Sequence, residues 1–182
     1  PRGMIYDASG KALVENQANA AITFTRGNKM TAQDLLETAK KLSELIEVPV
    51  DKNLSDRDLK DFWLADEENL EAATDRLSDE ERSLGTSEQY AATVDKVTED
   101  EINFSDAELE AATIFKRMNS AQSLSTVFIK TSDVSDRELA VVAENMVDLP
   151  GISTGTEWTR NIVEGSSLAS LIGTVTSEEQ GI

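Results

Sequence analysis

The sequence predicts an α+β fold in which strands from both chain ends form a small sheet, a stalk-like base, with a mainly helical head inserted between them. Three observations predict it. β-type residues and turn composition mark residues 1–30, an apolar period of one helical face with repeated capping signals fills the middle, and strand-like sequence returns after Pro150-Gly151. The expected organisation is one domain over 1–182, with a strand-rich base over 1–30 and 150–182 and a helical head over 31–149.

The first element is a hairpin. Met4, Ile5 and Tyr6 suit a strand, Asp7-Ala8-Ser9-Gly10 has turn composition, and Ala12-Leu13-Val14 resumes the apolar run. Asp7 suits the first turn position because its carboxylate accepts backbone N–H bonds, and Gly10 suits the left-handed position after a type I turn. Ala18 to Thr25 continues the strand and Arg26 to Lys29 reads as a turn. Thr31 then opens a capping signature with Asp34, and Leu35, Ala39, Leu42 and Ile46 share one helical face that ends before Pro49.

The same start signal recurs at Ser55 with Asp58, Ser78 with Glu81, Thr98 with Glu101, Ser105 with Glu108 and Ser135 with Glu138. Each predicts a helix N-terminus. The strings LSDRD, LSDEE, FSDAE and VSDRE are alike but unequally spaced, which excludes a solenoid and leaves recurrent capping: a hydroxyl satisfies an orphan N–H while the acids complement the helix dipole. Leu109, Ala112, Phe115 and Met118 form one amphipathic run, and Leu139, Val142, Ala143 and Met146 another. Between them Ser125 to Lys130 reads as a short strand, and the returning strands are expected at Ile152 to Trp158, Asn161 to Val163 and Leu168 to Val175.

Composition narrows the function. With 35 acidic and 17 basic residues the formal charge is -18, which opposes contacts to nucleic-acid phosphates or an anionic membrane surface. The chain has no Cys and no His, so thiol nucleophiles, imidazole bases and the usual zinc ligand sets are excluded. No apolar run approaches the roughly 20 residues of a membrane-spanning helix. The start at Pro1 rather than Met, and an ending, SEEQGI, without a helix stop or terminal strand, lead to the expectation of a piece of a larger parent.

Candidate chemistry is sparse. Asp51 to Asp58 scatters oxygen ligands but lacks the turn Gly and terminal Glu of an EF-hand loop. Glu67-Glu68 and Glu80-Glu81 would serve as acid and base only in an apolar cleft; on helix surfaces such pairs are solvated charges. There is no Ser-x-x-Lys pair and no phosphate-cradling glycine loop, and Lys130-Thr131-Ser132 lacks the Gly of a Lys-Thr-Gly motif and reads as a strand end. The chain is therefore expected to be non-catalytic and to need no metal or cofactor. Trp63 reads as a helix core residue and Trp158 as a sheet-face residue.

Two segments resemble a known family. RGMIYDASGKALVEN resembles the R-G-x-I-x-D-x-x-G-x-x-L-A signature that follows the membrane anchor of class B penicillin-binding proteins, with Val14 for the usual Ala and Ala8 for the usual Arg. GISTGTEWTRNIVEGSSLASLIGTV resembles the family's R-x-Y-P-x-G-x-L-A stretch and the glycine beyond it: Arg160, Gly165, Leu168, Ala169 and Gly173 align with one extra residue between Gly165 and Leu168, while Ile162-Val163 replaces Tyr-Pro. SEEQGI resembles a third piece, and the long insert is similar to that of elongation-type enzymes of streptococci and related Gram-positive bacteria.

The resemblance spans nearly the whole chain and implies the non-catalytic pedestal, or dimerisation, domain of a membrane-anchored peptidoglycan D,D-transpeptidase. It implies a serine domain after Ile182, a single membrane helix before Pro1, and placement outside the cell membrane. It also implies elongation partners such as a polytopic glycosyltransferase and scaffold proteins, with a homodimer among the allowed assemblies. Arg2, Gly3, Asp7, Gly10, Arg160, Gly165 and Gly173 would be scaffold residues: Arg2 pairing a carboxylate, Asp7 and Gly10 shaping the hairpin, Arg160 tying the returning strand, and Gly173 allowing close backbone approach. The rival readings are a free-standing acidic extracellular helical binding or adaptor module and a carboxylate-based glycan hydrolase.

Overall fold

In the computed structural model, residues 3–162 are described, with side chains through residue 159. A four-stranded antiparallel sheet is built on one long strand. β1 (Ile5–Tyr6) turns into β2 (Ala12–Thr25), and β4 (Ile152–Ile162) pairs with β2 from Val14↔Ile162 to Phe24↔Ile152 without a break in register. The returning strand is thus one element to Ile162 rather than two pieces, because β2 supplies a ladder partner throughout. Val163 and the strand expected at Leu168 to Val175 lie outside the described residues. The pairing of the two ends places an eleven-residue strand beside a fourteen-residue one.

Between β2 and β4 come α1 (Ala32–Ser43), α2 (Asp56–Leu64), α3 (Glu67–Thr74), α4 (Asp79–Arg82), α5 (Thr86–Asp95), α6 (Asp106–Asn119), β3 (Thr126–Lys130) and α7 (Asp136–Glu144). At Thr31, Ser55, Ser78 and Ser135 the cap hydroxyl accepts the N–H of the acid three residues on, and that acid's carboxylate accepts the cap N–H. At Ser105 the Glu108 carboxylate accepts both the Ser105 N–H and hydroxyl, each within 2.8 Å. The signal at Thr98 is a correction: it yields only a 3-10 turn, Asp100–Ile102, because the next cap, Ser105, follows too soon for a full helix and Ile102 turns into the interior. Two helices lacked a recognised signal. α3 is capped by Asp66, whose carboxylate accepts from Glu68 and Asn69, and α5 opens at Gly85 with no side-chain cap.

The main core lies where the inner half of the sheet meets the helices. Ile22 and Phe24 of β2, Ile129 of β3 and Ile152 of β4 pack with Leu35, Leu36, Ala39 and Leu42 of α1 and with Ala112, Ile114, Phe115 and Met118 of α6. Phe62 meets Phe104 and Phe115 edge-to-face at centroid distances of 5.2 and 5.6 Å. Leu64, Ala73, Val94, Val97 and Ile102 make a smaller cluster beyond α2. The outer half of the β2–β4 ribbon stands clear of the helices: Ala18 is exposed and Trp158, opposite it, is 53% exposed.

Candidate functional site

The β1–β2 turn is built around one carboxylate. Asp7 Oδ1 accepts the Ser9 N–H at 2.8 Å, the Ser9 hydroxyl at 2.7 Å and the Lys11 N–H at 2.9 Å. The Ser9 hydroxyl first, and then the Lys11 N–H, hold the Asp7 carboxyl below its ordinary value. Gly10 donates its N–H to the Asp7 carbonyl at 3.0 Å and sits at φ +85°. A methyl there would meet nothing within 4 Å, so only backbone strain opposes it. Gly10→Ala is expected to cost about 1 kcal/mol, measured by denaturant unfolding, with the rest of the fold intact.

Gly3 is exposed at the entry to the hairpin, and the Arg160 backbone stands opposite Asn16 in the β2–β4 register. Arg2, Gly165 and Gly173 lie outside the described residues. The structure thus brings the Asp7–Gly10 turn and the Arg160 backbone to the outer half of the sheet, on the side away from the helices.

A second feature has no precedent in the sequence motifs. A groove of about 860 Å³ opens between the α1–α2 connection, α6, the end of β3 and the start of α7. On its wall Lys130 Nζ donates to Glu138 Oε1 at 2.7 Å, with only 9% and 12% of the two side chains exposed. Glu138 also accepts the Ser135 N–H and hydroxyl at 2.8 Å and the Glu47 N–H at 3.1 Å. One carboxylate therefore ties together α7, β3 and the loop after α1. Burial alone would raise the Glu138 carboxyl, but hydrogen bonds from Lys130, Ser135 and Glu47 overcome this and hold it at about 2. Glu110 accepts the Val48 N–H and Arg117 donates to the Ile129 carbonyl on the same wall.

These contacts leave little for acid–base chemistry. Glu138 stays ionised at neutral pH and has spent its lone pairs on donors, while Glu81 bonds Ser78 and pairs with Lys96 at 2.9 Å. Glu67, Glu68 and Glu80 are exposed near helix starts. Asp51 and Asp58 close on the Lys116 ammonium at 3.1 and 3.2 Å, so the string read against a calcium loop is organised round a cation the chain supplies itself. Trp63 is half-buried against the smaller cluster with the Arg76 guanidinium 6.0 Å from its ring centroid, and Arg76 in turn pairs with Glu101 at 2.6 Å.

The pH dependence follows with its sign. Glu138 and Glu101 both fall from an ordinary value of 4.5 to about 2. Their contribution is fully present above the unfolded pKa and is lost as pH falls through the folded one. Thermal unfolding is expected to shift downward progressively from about pH 5 toward pH 2, and Glu138→Gln should flatten that fall.

Comparison with known proteins places this geometry. The model of the penicillin-binding protein dimerisation domain matches residues 1–181. Penicillin-binding protein 2B of Streptococcus pneumoniae is 40% identical over 187 aligned residues, covering 100% of this chain and 27% of that protein. Penicillin-binding protein 2A of Bacillus subtilis is 33% identical, with 100% of this chain and 26% of that protein covered. Among solved structures, penicillin-binding protein 2B from S. pneumoniae strain 5204 superposes with a TM-score of 0.79 at 40% identity, over 100% of this chain and 28% of the other. The chain thus spans roughly a quarter of the length of the relatives it matches.

Proposed function

The chain belongs to the penicillin-binding protein dimerisation-domain family, and from that premise we propose that it is the pedestal of a membrane-anchored peptidoglycan D,D-transpeptidase. It is a non-catalytic domain, and it stands between a membrane helix before Pro1 and an acylable serine domain after Ile182. The observation that supports this best is the unbroken β2–β4 pairing: the described chain enters at β1 and leaves at Ile162 on the same end of the sheet, with the helices at the other end. Eleven paired residues at about 3.3 Å each make a spacer of about 35 Å.

In this reading residues 1–30 and 150–182 are the base and 31–149 the head, which meets elongation partners such as a polytopic glycosyltransferase and scaffold proteins on the outer face of a Gram-positive membrane. Homodimerisation is compatible with it. Arg2, Gly3, Asp7 and Gly10 shape the entry to the base, and Arg160, Gly165 and Gly173 its exit toward the serine domain. The family relationship favours this over a free-standing binding module.

The test is made in the full-length parent. Because the sheet and helices share one core, deletion of the head would remove the partners of Ile22 and Phe24. Exposed acids of α3 and α4, Glu67, Glu68, Asp79 and Glu80, are therefore changed to lysine together. Loss of localisation at sites of wall growth with β-lactam acylation retained is the expected result; unchanged localisation would remove the docking role of that face.

A further inference from the structure

β1 and β3 both pair with the edge of β2 that faces away from β4, β1 reaching Val14 and β3 reaching no further than Ile22. Ala18 and Ala20 lie between them. The Thr25 N–H donates to Gly151, so odd-numbered residues of β2 bond toward β4; the Arg26 N–H donates to Ser125, so even-numbered ones bond toward β3. The N–H and C=O groups of Ala18 and Ala20 therefore point to an edge that no strand among the described residues covers.

β3 cannot continue along that edge. Its register slips between Ile22↔Lys130 and Thr23↔Phe128, leaving Ile129 as an extra residue, and Asp133 sits at φ +53° as the chain leaves for α7. The Lys130–Glu138 pair anchors this departure. What remains is a notch of about 360 Å³ lined by Ala18, Asn19, Ala20 and Thr131–Val134.

We propose that this notch docks an extended, basic segment of a partner protein, which adds to β2 as a short strand between β1 and β3. Open backbone donors and acceptors at Ala18 and Ala20 are what strand addition uses, and the flanking strands limit the site to a few residues, which blunts edge-to-edge aggregation. Asp133 is the charged side chain among the lining residues, so lysine or arginine is favoured in the incoming strand. Ala18 and Ala20 are short, and Trp158 stands exposed on the same face opposite Ala18, favouring an apolar residue there. The proposal rests on ladder geometry and holds whether or not the pedestal reading does.

The 182-residue chain is titrated with a short end-blocked peptide of alternating valine and lysine and followed by amide NMR with hydrogen exchange. The Ala18 and Ala20 amides should shift and become protected, and a valine–glutamate peptide should not compete. Ala18→Pro removes an edge donor while sparing the β4 ladder, and should weaken binding at least about tenfold with β4 amides unchanged. Asp133→Lys should weaken the basic peptide and admit the acidic one. Equal binding by Ala18→Pro, shifts confined to other surfaces, protection of both amides in the dilute free chain, or protection that grows with chain concentration would each overturn the proposal. The last two would assign the edge to the chain's own segment or to a second copy.

Discussion

Glu138→Ala is expected to lower folding stability by about 3–5 kcal/mol, the loss typical of leaving one charge of a buried pair alone. The Lys130 side chain, only 9% exposed in the intact pair, would be left without its carboxylate partner. The Ser135 and Glu47 N–H groups would lose their acceptor at the same time. The loss should appear as a lower denaturant midpoint with an unchanged slope. Changing both partners, Lys130→Met with Glu138→Leu, should recover much of it, because no buried charge is then stranded. A surface-like loss of under about 1 kcal/mol for Glu138→Ala would show that the carboxylate does not join the three elements.

Gly151→Ala should be nearly as costly, about 3 kcal/mol or more. Gly151 sits at φ +81°, and a Cβ there would stand 2.5 Å from the Thr25 carbonyl oxygen and 2.8 Å from the Phe24 ring. The backbone cannot retreat, because the Gly151 carbonyl accepts the Thr25 N–H at 2.8 Å and starts the β2–β4 ladder, and Phe24 is fully buried. Gly10→Ala, with a similar φ and open space around it, is the control. The difference between the two in thermal midpoint measures the steric part alone, and equal losses would mean that strain, not contact, dominates at both.

The contrast between these glycines shows what was legible in the sequence. Gly10 could be read because its turn is local: Asp7, Ser9 and Lys11 lie within four residues and their hydrogen bonds follow from residue type. Capping at Thr31, Ser55, Ser78 and Ser135 was legible for the same reason. The meeting of the two chain ends was expected, but their register depends on Ile22, Phe24 and Ile152 finding one core across more than a hundred residues. Lys130 read as the end of a strand and Glu138 only as a cap. Their pairing needs α7, β3 and the loop after α1 together, and the one local clue was a lysine closing the apolar run Val127-Phe128-Ile129. The open edge at Ala18 and Ala20 was beyond sequence reasoning, because it arises from where β1 and β3 stop rather than from the alanines themselves.

The pedestal reading is tested most directly by fluorescent penicillin labelling of two proteins side by side: this chain alone, and the same chain with the residues that precede and follow it in its parent. Labelling of the long form with none of the short one is the predicted result. Acylation of the short chain, or its absence from both, would contradict the assignment of a non-catalytic stalk attached to a serine transpeptidase.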